Sequence, residues 1–148
     1  MHKLWAAALA LLSALAFLIV GSPPASAFGT EVLGCSIDSG AWYANSCEGG
    51  GDGAAHTIYF SPHNLSGSYT TSWTVTKNGN AMSNCGSSGS DCISAGCTSG
   101  ALVCYINAFS GLHDKTFAAT LKLTQSGQTR TISASALIDY DSSTCLRC

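Results

Sequence analysis

Among the residues of this 148-residue chain that could do chemistry, the eight cysteines come first: Cys35, Cys47, Cys85, Cys92, Cys97, Cys104, Cys145 and Cys148. An even count in a small chain that opens with an export signal implies a disulfide framework, and eight thiols allow 105 connectivities. Proximity along the chain suggests Cys35–Cys47, Cys85–Cys92, Cys97–Cys104 and Cys145–Cys148. A crosslink through the core between Cys35 and Cys104 is the rival, because both fall on apolar faces. Cys145-Leu146-Arg147-Cys148 also has zinc-knuckle spacing. No second close pair stands near it, and no strand-to-helix context surrounds it as a redox motif requires. Oxidised sulfurs leave no thiolate nucleophile, so no metal and no cofactor is expected.

The remaining reactive side chains form no catalytic constellation. His56, His63 and His113 sit in neither a nucleophile elbow nor a His-Glu-x-x-His helix. His63 follows Ser61-Pro62 in an expected turn, and His113 lies in a loop. Asp139 and Asp141 alternate around Tyr140, which reads as a solvated edge rather than an acid/base pair. The glycine-rich run 48–55, EGGGDGAA, feeds a strand-like segment instead of a helix N-terminus. It reads as a flexible linker and not as a phosphate cradle. Asn64-Leu65-Ser66 fits a glycosylation acceptor.

Compartment and charge narrow the class. A basic start, an apolar run over 4–20, two prolines and Ala25-Ser26-Ala27 read as a secretory signal over residues 1–27. The rest, 28–148, suits one domain. No membrane span is expected after cleavage, and the setting is secreted or extracellular. The basic residues of this part, Lys77, Lys115, Lys122, Arg130 and Arg147, do not cluster, and the whole chain carries a formal charge of −2. That disfavours nucleic acid and anionic membrane surfaces as partners.

The elements that must position these groups are strands. Over 117–138 the residues Phe117, Ala119, Leu121 and Leu123 alternate with polar neighbours, and Ile132, Ala134, Ala136 and Ile138 do the same beyond a Ser126-Gly127 turn. A two-residue loop sets Leu121 opposite Ile132 and puts both apolar sets on one side. Residues 69–77 place Tyr69, Thr71, Trp73 and Val75 on a second such face, and Asn78-Gly79 makes a hairpin turn with Val75 opposing Met82. Trp73, Val75, Phe117, Leu121, Leu123 and Ile132 are the expected core anchors. Further strands are expected over 30–38, 56–60 and 101–108, the last with Leu102, Cys104 and Ile106 on one face, and a short strand or irregular return over 41–47. The stretch 83–100 is expected to be a crosslinked loop, and 139–148 a tail pinned by cysteines. No 3.6-residue period follows the leader. Six or seven short strands point to an all-β, antiparallel two-sheet sandwich.

The motifs Tyr69…Trp73-Thr-Val75…Asn78-Gly79, Phe117 to Gly127 and Ser133-Ala-Ser-Ala-Leu137 resemble those of bacterial immunoglobulin-like or PKD-like β-sandwich modules, over roughly 56–138. The resemblance implies a disulfide-stapled immunoglobulin-like sandwich that binds, spaces or scaffolds, and it implies no catalytic residues. The expected function is therefore a non-enzymatic exported module binding a protein, a glycan or a cell-envelope component. Tyr43, Tyr59 and Tyr105 are the expected exposed contacts. The alternatives are a secreted protease inhibitor presenting loop 85–104, with Asp91-Cys92-Ile93 near its apex, and an apoprotein carrying a small ligand in the mouth of the sandwich.

Overall fold

The computed structural model describes residues 28–50, 53–86 and 89–140. The expected leader, Cys145 and Cys148 lie outside the described residues. Among the described residues ten strands follow one another: β1 (Val32–Ile37), β2 (Tyr43–Ala44), β3 (Ser46–Gly50), β4 (His56–His63), β5 (Thr70–Lys77), β6 (Asn80–Ala81), β7 (Cys92–Gly96), β8 (Cys104–Ala108), β9 (Lys115–Gln125) and β10 (Gln128–Asp139). No helix occurs among the described residues, so none there is long and apolar enough to cross a membrane. One sheet runs β2-β1-β4-β8-β7, the other β3-β10-β9-β5-β6.

Period-two alternation builds the core. Phe117, Ala119, Leu121 and Leu123 of β9 face the gap between the sheets with Ile132, Ala134, Ala136 and Ile138 of β10. Leu33, Cys35, Ile58, Phe60, Cys104 and Ile106 meet them from the other sheet. Burying each large apolar side chain contributes roughly 1.5–3 kcal/mol. Val75, Phe117, Leu121, Leu123 and Ile132 are all buried, whereas Trp73 is half-buried and donates its indole N–H to the Ala101 carbonyl at 2.8 Å. The β9–β10 register sets Leu121 against Ile132 and Phe117 against Ala136. Its turn has positive φ at Ser126 and Gly127, as the β5–β6 turn has at Asn78 and Gly79. Such turns twist with the strands they join.

Five local expectations need correction. The glycine-rich run does not begin a linker: Glu48, Gly49 and Gly50 belong to β3, which pairs in parallel with Leu137, Ile138 and Asp139 of β10. Main-chain pairing to a long neighbour outweighs the weak strand preference of glycine there. Cys92–Gly96 is likewise a strand, β7, and not part of a loop. Ser61, Pro62 and His63 continue β4 rather than turning; Pro62 lies beyond the end of the β4–β8 pairing, so its missing N–H breaks no ladder there. Leu102 stands outside β8 and is 50% exposed. Asp139 ends β10 and Tyr140 is buried, so the polar tail does not start at 139.

Three disulfides are present among the described residues. Cys35–Cys47 joins β1 of one sheet to β3 of the other, Cys85–Cys92 ties the approach to β7 onto that strand, and Cys97–Cys104 closes the β7–β8 connection. All cysteines among the described residues are oxidised, which is compatible with an oxidising, extracellular setting. The Cys97–Cys104 ring also covers an open sheet edge. Gly100 N–H donates to the Thr71 carbonyl, and the Ala101 carbonyl accepts from Thr71 Oγ1 as well as from Trp73. These bonds occupy groups of β5 that β6 is too short to reach.

Candidate functional site

Two places gather side chains with binding chemistry. The first is the outer face of the β2-β1-β4-β8-β7 sheet. Tyr59 lies between the buried Ile58 and Phe60, and Tyr105 between the buried Cys104 and Ile106, so alternation turns both rings outward. Ser36, Tyr59 and Tyr105 stand in one cross-strand row, and the two tyrosine rings meet edge-to-face with centroids 5.1 Å apart.

One row further along, Gly34 pairs with Ser61 and Ala44. Gly34 leaves the face open, and the Trp42 indole lies on it: a Cβ on Gly34 would come within 2.1 Å of Trp42 Cε2. Trp42 is 37% exposed, and its ring centroid stands 3.8 Å from that of His63. His63 is in turn held by Ser61 Oγ at 3.2 Å from Nε2. Trp42, His63, Tyr59 and Tyr105 thus form a strip roughly three strand rows long, about 13 Å at ordinary strand rise. Between and beside the rings stand Ser36, Ser61, Thr57 and Asn107, none of them charged.

The second place is a cavity of about 300 Å³ where the chain passes from β2 to β3 and so from one sheet to the other. Ile37, Tyr43 and the Cys47 side of a disulfide supply apolar wall; Asp38, Glu48 and His56 supply polar groups. Asp38 and Ser39 occupy a tight turn with positive φ (51° and 61°), closed by Gly40 N–H donating to the Ile37 carbonyl at 2.9 Å. From there Asp38 Oδ1 accepts the Thr57 N–H at 2.8 Å, and Oδ2 stands 2.6 Å from Nδ1 of His56. His56 is buried and Asp38 is half exposed. No three of His, Cys, Asp and Glu converge as metal ligands among the described residues.

Two further acids that are buried serve the scaffold. Asp91 accepts from Lys77 Nζ (2.9 Å), Lys115 Nζ (3.0 Å) and the Phe109 N–H (2.7 Å). Burial pushes its carboxyl up, but the two ammonium groups and the Phe109 N–H outweigh this and hold it below the usual aspartate value. At the opposite end of β5, Glu31 accepts from the Gly29 N–H, the Tyr69 hydroxyl and Arg130 Nη1. Burial raises that carboxyl too, and these partners bring it below the usual glutamate value. Asp91 is therefore no apex residue of a projecting loop: it clamps the start of β7 to β5 and β9.

Of the three tyrosines expected as surface contacts, Tyr59 and Tyr105 share the outer face, while Tyr43 packs partly against the core and lines the cavity. His113 is exposed in the β8–β9 connection and does not line the cavity. No motif in the sequence marks Trp42, Gly34 or Asp38. The available signal was Gly34 interrupting the strand-like stretch 30–38, with Trp42 in the short return that follows it. Comparison of the chain with protein-family models, with curated proteins and with solved structures finds no match in any of the three.

Proposed function

We propose that this chain is an exported, non-enzymatic binding domain of immunoglobulin-like construction that holds a neutral glycan on the outer face of the β2-β1-β4-β8-β7 sheet. The uncharged aromatic strip of Trp42, His63, Tyr59 and Tyr105 carries the reading. Pyranose rings present a C–H face that packs on an aromatic ring, and their hydroxyls need neutral partners such as Ser61 and Asn107 at the margins. Rings fixed in place by stacking lose little freedom on binding. The strand order supports the immunoglobulin-like part: β3 runs parallel to the last strand, β10, at the edge of β10-β9-β5-β6, and β4, β8 and β7 follow β1 in the partner sheet. The paired sulfurs support export.

The test is retention of the oxidised domain on a panel of insoluble neutral polysaccharides and titration with their soluble oligosaccharides. At least one neutral glycan should bind, and Trp42→Ala, Tyr59→Ala and Tyr105→Ala should each weaken it about tenfold, since a stacked ring contributes on the order of 1–1.5 kcal/mol. Retention by none, or unchanged retention of the triple variant, removes the proposal.

One observation favours a second reading, protease inhibition. Leu102 projects from the Cys97–Cys104 ring, and the adjacent Ala101 carbonyl is anchored by two hydrogen bonds. A pre-organised loop with an exposed leucine suits the apolar primary pocket of a subtilisin- or chymotrypsin-like enzyme. Near-stoichiometric mixing with such proteases should then slow them, and Leu102→Asp should abolish the effect; unchanged rates throughout rule this reading out.

A further inference from the structure

The cavity between β2 and β3 adjoins the aromatic strip through the 38–39 turn, where Ser39 Oγ stands 3.4 Å from the Tyr59 hydroxyl, but its chemistry is different. We propose that it binds a small organic amine, with the ammonium group on Asp38 and the hydrocarbon body against Ile37 and Tyr43. This assignment does not rest on the glycan reading.

Three observations carry it. The volume, about 300 Å³, is at the lower end of the range for small-molecule sites. Its apolar part is preformed: Ile37 and Cys47 are held by β1, β3 and the Cys35–Cys47 disulfide, so little ordering remains for a ligand to drive. Its polar part is acidic. Asp38 and Glu48 line it beside His56, and among the described residues no Lys or Arg does.

Asp38 is built to receive a cation. Its carboxylate is oriented by the Thr57 N–H on one oxygen and by His56 Nδ1 on the other. A carboxylate has about four acceptor positions, so two strong contacts leave room for an ammonium N–H. The residue is also half exposed and belongs to the cavity lining, in a turn with positive φ at two successive residues. A carboxylate ligand would meet two acids. A neutral alcohol would find apolar wall but gain nothing from the charge.

The experiment is titration of the oxidised domain, near neutral pH, with hexylamine, hexanol and hexanoate, followed by amide chemical shifts. Hexylamine should perturb the amides of Ile37, Asp38, Tyr43, Gly49 and Gly50, and bind at least tenfold more tightly than hexanol or hexanoate. Asp38→Asn should weaken hexylamine at least tenfold. Asparagine accepts positive φ, so the turn survives the change, and the variant's far-ultraviolet spectrum checks this. Should that variant fail to fold, Ala41→Phe blocks the apolar wall from an exposed position and should abolish binding. The assignment is overturned by hexanol or hexanoate binding as tightly as the amine. It is overturned equally by shifts confined to other acidic positions, by an unaltered affinity in the folded Asp38→Asn variant, or by unaltered binding to Ala41→Phe.

Discussion

At the scale of single residues, Asp91 shows how a buried charge becomes structural. Its carboxylate is almost wholly screened from water, and two lysines from two strands converge on it. Removing one member of such a cluster leaves the others uncompensated, at a cost of about 3 kcal/mol. The pH dependence has a definite sign. The folded carboxyl sits below its unfolded value of about 3.9. Its stabilisation is therefore complete above that value and is lost as the pH falls through the lower folded one. Asp91→Asn should lower stability by about 3 kcal/mol at pH 7, and the gap to the parent should narrow as the pH falls below about 4. Urea denaturation at pH 7, 4 and 2.5 measures both. A gap that is constant with pH would show that the charge is not what Asp91 contributes. Gly34 is the other residue with a decisive role, because any side chain there displaces Trp42. Gly34→Val should shift tryptophan emission to the red and cost glycan retention while changing stability by less than about 1.5 kcal/mol, since Trp42 is a surface group. Emission identical to the parent would contradict the placement of the indole.

Elements differ in what fixes them. β9 and β10 are long, alternate cleanly and turn on two positive-φ residues, so local preference and tertiary packing agree. β3 and β7 contain glycine and serine, have little apolar area of their own, and hold their places through pairing and sulfur. The disulfides should accordingly differ in weight. Cys35–Cys47 closes a separation of 12 residues and is buried at both ends, whereas Cys85–Cys92 closes one of 7 with Cys85 exposed. Loop entropy alone separates them by only a few tenths of a kcal/mol. Core packing adds the rest, because alanine at 35 and 47 leaves a void between the sheets. Replacing Cys35 and Cys47 together by alanine should cost about 4 kcal/mol, and the same change at Cys85 and Cys92 about 2 kcal/mol. Denaturant midpoints compare them, and the reverse order would mean that the crossing from β2 to β3 is not what holds the sheets in register.

For the molecule as a whole, the two sheets share one core, a disulfide joins them at one edge, and ionic clusters clamp both ends. Such a body has no boundary along which it could come apart in halves. Trp73 reports on the β5 edge and its covering ring, while Trp42 reports on the opposite sheet's outer face. Unfolding followed by tryptophan emission and by far-ultraviolet circular dichroism should give coincident curves. An early emission change would mean that the ring or the aromatic face melts separately.

Residue type and spacing alone determined the all-β class, the inward sets of β5, β9 and β10 and the register of two hairpins; they suggested the Cys35–Cys47, Cys85–Cys92 and Cys97–Cys104 pairs as neighbours in the chain, which the structure decided against the Cys35–Cys104 rival. These depend on interactions over a few residues, which alternation and turn chemistry encode directly. The parallel seating of β3 on β10, the strand made from a glycine-serine stretch, the burial of Asp91 and Glu31, and the indole lying on Gly34 were decided only in three dimensions. Each depends on more than local alternation and turn chemistry, and the energy that selects it comes from a partner surface that exists only in the folded chain.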